Sequence, residues 1–193
     1  MTFPLGDVPQ SMECHIDGHK IVKDLSLTER FEVLTAIVLQ AKLAAFRNAG
    51  FDVYDSALYP DLTFQIKVAH TWHDETIRRF VKDDGKVFEA IKHPHWTWNG
   101  SSQHLADWYI FFGIKGDLVH AFAFPVSVWL ESSYRGTDAK NVMIVCSREF
   151  SPCGSGTKRN KMWEYEIRDW PNGLFYAIEG ERWRELPLFN VLT

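Results

Sequence analysis

From Asp61 to His70 the chain reads Asp-Leu-Thr-Phe-Gln-Ile-Lys-Val-Ala-His, a run in which apolar and polar residues alternate. In a β-strand successive side chains point to opposite faces, so Leu62, Phe64, Ile66 and Val68 share one face and Asp61, Thr63, Gln65, Lys67 and Ala69 the other. The apolar face is suited to dock on a helix layer. The opposite face then presents an acid, an amide and a lysine in a row. Such a face is either the wet side of an edge strand or a metal-and-lysine site for phosphodiester hydrolysis.

Other residues with chemical potential are less well arranged. Cys14, His15 and His19 are metal-ligand types, but no second pair at zinc-site spacing completes them. Pro152-Cys153 is reminiscent of a zinc deaminase, but the second cysteine and a preceding His-x-Glu are absent. Cys146 ends an apolar run and reads as a core thiol. His70, His73, His93 and His95 define a third option, a zinc-dependent hydrolase, without a His-x-x-x-His helix pair to support it. In the run 93–100, Trp96 and Trp98 read either as a base-stacking loop beside a nucleic-acid site or as indoles plugging the core. Lys158, Arg159 and Lys161 form the one basic cluster of note, a solvated loop or a phosphate contact.

The elements that must position the polar row begin upstream. Ser26-Leu27-Thr28-Glu29 is a capping box, and Leu27, Phe31, Leu34, Val38, Ala41 and Ala45 recur at helical spacing. The spacing predicts a helix over 27–48, stopped by Gly50. Glu32 lies beside its apolar stripe. Phe51 to Asp55 then predicts a short strand, 56–60 a turn, and 61–69 the alternating strand.

This order of helix, Gly-Phe, strand, acid and strand with Gln-x-Lys resembles the PD-(D/E)XK restriction-endonuclease-like superfamily. Its core begins with a helix carrying a glutamate, followed by strands carrying Asp and (Asp/Glu/Gln)-x-Lys. The matching residues are Glu32, then Asp55 or Asp61, then Gln65 and Lys67, and Pro60-Asp61 supplies the literal Pro-Asp. Asp61 stands close to Gln65 for the hairpin the family places there, and Asp55 leaves more room. The resemblance implies Mg²⁺ or Mn²⁺ held by Glu32, Asp55 or Asp61, and Gln65. Hard oxygen ligands of this kind suit such a cation beside a phosphate. The metal acidifies a water and stabilises phosphoryl charge, while Lys67 orients the water or shields the transition state. Gln65 in place of a glutamate keeps a carbonyl ligand but removes one negative charge.

Downstream, Asp74 to Phe80 predicts a helix. Trp108 to Ile114 predicts a central strand covered on both faces, and Leu118 to Pro125 its hairpin partner. These two resemble the later strands of the same superfamily. Residues 126–133 predict a short helix, 141–147 and 163–167 strands, and 174–186 a closing helix.

The chain has 193 residues, 46% hydrophobic and 24% charged, which excludes disorder and suits one domain. We expect an N-terminal arm over 1–24, a core over about 26–147, and a C-terminal strand and helix over 162–190. Three cysteines, no secretory signal after Met1 and no run approaching the ~20 apolar residues of a membrane span point to a reduced, cytoplasmic protein. A net charge of −4 argues against a broadly basic nucleic-acid binder while leaving room for a local basic groove. The expected fold is α/β, a mixed β-sheet flanked by helices, restriction-endonuclease-like. The expected function is Mg²⁺-dependent endonucleolytic cleavage of nucleic acid, DNA first. The alternative is a catalytically impaired nuclease-fold interaction protein, such as a phage or mobile-element factor binding a host protein complex. A homodimer is one assembly to test, and no membrane partner is expected.

Overall fold

The computed structural model describes residues 2–16, 19–44, 50–92, 94–101, 106–132, 134–135, 141–147 and 162–185. Its elements in chain order are β1 (Phe3–Pro4), β2 (Ser11–Ile16), β3 (His19–Asp24), α1 (Leu27–Leu39), β4 (Lys42–Leu43), β5 (Val53–Tyr54), β6 (Phe64–Ala69), β7 (Thr76–Val81), β8 (Val87–Lys92), β9 (His95–Ser101), β10 (Trp108–Lys115), β11 (Leu118–Pro125), α2 (Val126–Ser132), β12 (Tyr134–Arg135), β13 (Asn141–Ser147) and α3 (Asn172–Glu185). This is an α/β architecture built on a six-stranded mixed sheet in the order β1-β11-β10-β6-β5-β4. β6 and β10 run parallel and the other neighbours antiparallel. A three-stranded sheet β12-β13-β9 and two separate hairpins, β2-β3 and β7-β8, complete the strands. Among the described residues no helix is long and apolar enough to cross a membrane.

β10 is the spine. Its near-continuous apolar run is buried from Trp108 to Ile114 because both of its faces are covered. Ile110, Phe112 and Ile114 face a cluster with Phe31 and Leu39 of α1 and Leu174 and Ile178 of α3. Tyr109 and Phe111 face a second cluster with Phe122 and Phe124 of β11, Trp96 and Trp98 of β9, and Trp129 of α2. The period-2 alternation of strand side chains thus sorts one apolar run into two cores.

α1 starts where the capping box requires. The Ser26 amide donates to Glu29 Oε2 at 2.8 Å, and the Glu29 amide donates to Ser26 Oγ at 3.4 Å. It ends earlier than the stripe predicts, at Leu39 rather than 48. Gln40 adopts the left-handed conformation (φ 50°, ψ 51°). The Ser56 hydroxyl donates to the last carbonyl, Leu39 O, at 2.5 Å, and the Ala57 amide donates to Gln40 O at 3.0 Å. A distant loop therefore stops the helix by satisfying its terminal carbonyls, and the chain turns directly into β4.

Three further expectations are corrected. Residues 74–80 are not a helix: Thr76–Val81 pairs antiparallel with Val87–Lys92 through a turn at Gly85 (φ 78°). The run 93–100 is not a loop, because His95–Ser101 is a strand paired with β13. Residues 163–167 hold a 3₁₀ turn over Met162–Tyr165 and one isolated bridge, Phe122 to Glu166, instead of a strand. Residues 1–24, expected as an arm, contain the β2–β3 hairpin, and the expected β10–β11 pair, helix from 126 and closing helix are all present.

Candidate functional site

The alternating run forms β6, but from Phe64 rather than from Asp61, since Pro60 and Asp61 lie in a turn. Phe64 and Ile66 are buried in the cluster with α1, with Leu62 and Val68 packed against it. The docking face is therefore the one the alternation assigns. The opposite face is not a wet edge. β6 pairs along its whole length with β10, and Gln65 is buried on the side shared with Tyr109.

On its other side β6 is paired with β5 only at Val53 and Phe64. The Asp52 amide donates to Phe64 O at 2.8 Å. Two residues further along β6, the side chain of Asp52 replaces a strand. Its Oδ2 accepts from the Ile66 amide at 2.7 Å and from the side-chain amide of Gln65. The pairing explains the placement. Val53 is fully buried, so its neighbour Asp52 points to the sheet's opposite face, directly across from Gln65. Asp52 is a candidate site residue that sequence reasoning missed. The signal was available: within Phe51 to Asp55, strand alternation about Val53 sets Asp52 and Asp55 on opposite faces.

Burial pushes the Asp52 carboxyl above its usual range, against the opposing pull of the Ile66 amide, the Lys67 charge and the Gln65 amide. The carboxylate is thus partly desolvated and within the field of a lysine one turn of the pleat further along the same face. Lys67 also borders a pocket of about 500 Å³ whose walls include His70, Thr71, His73, Thr97 and Trp98. The row Asp52, Gln65, Lys67 runs from the sheet edge to that pocket.

Of the other sequence candidates, Asp55 and Asp61 fall elsewhere. Asp55, at φ 51°, turns away and pairs with Lys42 Nζ at 2.5 Å in solvent. Asp61 is exposed in its turn. Glu32 is half-buried on α1 beside the fully buried Phe31. Trp96 and Trp98 are fully buried or nearly so, and their indole nitrogens donate to Ile114 O and Phe112 O at 3.0 Å each. They are core posts under β9, so no face is left to stack on a base. Lys158, Arg159, Lys161, Cys153 and His93 lie outside the described residues. His73 and His95 form an isolated bridge and stack with ring centroids 5.0 Å apart.

Among the described residues no group of three or more His, Cys, Asp or Glu side chains is arranged to hold a metal ion. The groups at the site are one partly desolvated carboxylate, Asp52, and one amide, Gln65, whose nitrogen rather than its oxygen faces that carboxylate. The carboxylate and, were the amide turned, the Gln65 oxygen would be hard ligands of the kind Mg²⁺ and Mn²⁺ take. A cation there would meet one protein charge rather than two or three.

No family model matches the chain, and no curated protein matches it. Among solved structures, a bacterial homing endonuclease aligns with 83% of this chain and 95% of its own at 10% identity, with a TM-score of 0.40. A likeness at this score transfers no activity and no residue role.

Proposed function

We propose that the protein is a phosphodiester hydrolase acting on nucleic acid, DNA in the first instance, with Mg²⁺ or Mn²⁺ as cofactor. The observation that carries the reading is the Asp52 carboxylate, held partly desolvated across from Gln65 and in the field of Lys67 at the open side of β6. This is the arrangement of acid, amide and lysine that the restriction-endonuclease-like resemblance calls for, with Asp52 in the role assigned by sequence to Asp55 or Asp61. Asp52 and Gln65 would hold the cation, which supplies charge for the phosphoryl oxygens and an acidified water. The hydrogen bond from the Ile66 amide fixes the carboxylate, so it need not reorganise on binding. Lys67 places a compact cation beside the scissile phosphate and the pocket beyond it. Cleavage of plasmid DNA and of RNA with Mg²⁺ or Mn²⁺, lost in Asp52→Asn and in Lys67→Ala, tests the reading. No cleavage in either metal would sink it.

One observation favours a second reading. A single carboxylate with an amide gives a cation weak purchase, which suits a nuclease-fold interaction protein whose site has lost its catalytic charge. Such a protein would be a phage or mobile-element factor that binds a host complex, and it would show no metal response.

A further inference from the structure

The β7–β8 hairpin forms a two-stranded sheet of its own. Its base is the bridge between His73 and His95, closed by two backbone bonds of 2.9 Å, and His73 lines the pocket that Lys67 borders. Six-residue strands extend about 20 Å at 3.3 Å per residue. The hairpin is thus a ribbon rooted at the rim of the proposed site.

Its two faces differ in chemistry. The register pairs Phe80 with Phe88 and Arg79 with Glu89. Beyond the last pair, the Lys82 amide donates to Lys86 O, so these two lysines oppose each other as well. Phe80, Phe88, Lys82 and Lys86 therefore share a face, and Lys82 Nζ lies 5.3 Å from the Phe88 ring centroid. Arg78 and Lys92 occupy register positions on that face, and no strand position on it is acidic. Asp84 in the turn lies 3.2 Å from Lys86 Nζ in solvent. On the reverse face the Arg79–Glu89 pair at 2.8 Å neutralises itself between exposed Ile77, Val81 and Val87. Residues 76–92 hold five Lys and Arg against three Asp and Glu, in a chain of net charge −4.

We infer that this ribbon is a duplex-DNA grip, laid into a groove with its lysine face against the phosphates. This rests on the nuclease reading for its substrate. The charge is positive where the rest of the chain is negative, and phosphate neutralisation by Lys and Arg dominates such binding. The major groove, about 12 Å wide, admits a two-stranded ribbon. The rings argue against a single strand. Phe80 and Phe88 stack on each other at 5.2 Å and 18°, and Lys82 sits over Phe88, so the pair is not an open platform for a splayed base.

The test is fluorescence-anisotropy binding of a short mixed-sequence duplex and of its single strand, without divalent metal, across a range of salt. The variants are Lys82→Ala/Lys86→Ala, Phe80→Ala/Phe88→Ala and Lys67→Ala, each checked by circular dichroism for an unchanged fold. The double-lysine variant should bind duplex more weakly and lower the log–log salt slope by about two, at ~0.9 for each phosphate no longer neutralised. Lys67→Ala should leave most of the slope in place. No duplex binding by the parent protein, an unchanged slope in the double-lysine variant, or preference for the single strand would overturn the grip. Hairpin-dependent duplex binding without cleavage in any metal would uphold the grip while removing the nuclease reading.

Discussion

The carboxylate of Asp52 accepts the Ile66 amide hydrogen at 2.7 Å, in the place where the next residue of a paired strand would accept it. A strand edge is thereby satisfied by an acid, and that acid is held against its own hydration preference. Burial raises its carboxyl above the ordinary aspartate range. A folded-state value above the unfolded one contributes stability that is present below the unfolded value and lost as pH rises through the folded value. Asp52→Asn keeps an oxygen for the Ile66 amide and removes the buried charge. We expect its melting temperature to exceed that of the parent near neutral pH and to converge with it below the usual aspartate range. Thermal melts across pH check this. Equal melts at all pH values would mean that Asp52 is solvated.

Lys67 is half-buried at the pocket rim, and its aliphatic stem carries little of the core. Lys67→Ala should abolish cleavage while costing about 0.5 kcal/mol of stability or less, in the range usual for substitutions at the surface. Asp55→Asn and Asp61→Asn should both retain cleavage, because the Asp55 carboxylate serves Lys42 and Asp61 lies in an exposed turn. A nuclease assay on the three variants decides it. Loss of activity in Asp55→Asn would return the site to the assignment made from sequence.

Metal should raise the melting temperature through mass action, stabilising the fold by about 2.7 kcal/mol at a free concentration one hundred times the dissociation constant. With one carboxylate and one amide, binding should be weak and the response confined to millimolar Mn²⁺ or Mg²⁺. Asp52→Asn should erase it, and Asp61→Asn should not. A flat melting temperature in the parent protein would favour the interaction-protein reading.

Gly113 on β10 lies under the Trp96 indole, and a Cβ there would come within 2.6 Å of Cδ2 and 2.7 Å of Cε2. The indole cannot retreat easily while its nitrogen donates to Ile114 O. Gly113→Ala should therefore destabilise by about 1–3 kcal/mol, as overpacking does. Denaturant titration gives the value, and Trp96→Phe in the same background should recover part of it.

What could be read from sequence follows the reach of each signal. The capping box at Ser26 and the apolar spine from Trp108 are local, and both stand as read. The Leu62 to Val68 face is also local, since alternation needs no partner to be seen. Alternation about Val53 separates Asp52 from Asp55, but which of the two faces Gln65 depends on the strand that Val53 pairs with, and that register is set across the turn. The end of α1 was hidden because Ser56, 17 residues from Leu39, caps it. β9 read as a loop because His-Pro-His and three hydrophilic neighbours mask two indoles whose partners lie on β10. β7 read as a helix although Asp83-Asp84-Gly85 marks a turn between two runs that alternate.

The indole bonds from Trp96 and Trp98 to the carbonyls of β10 have a consequence for how the molecule opens. β9 belongs to the smaller sheet by its backbone pairing and to the spine by its side chains. It cannot peel away without breaking both, so its amides should exchange with solvent only in openings that also release β10. Among the described residues the ribbon beyond His73 and His95 shows no such indole tie, so it should open as a unit of lower local stability. Fluctuations of the ribbon would then end at its root and leave Lys67 still.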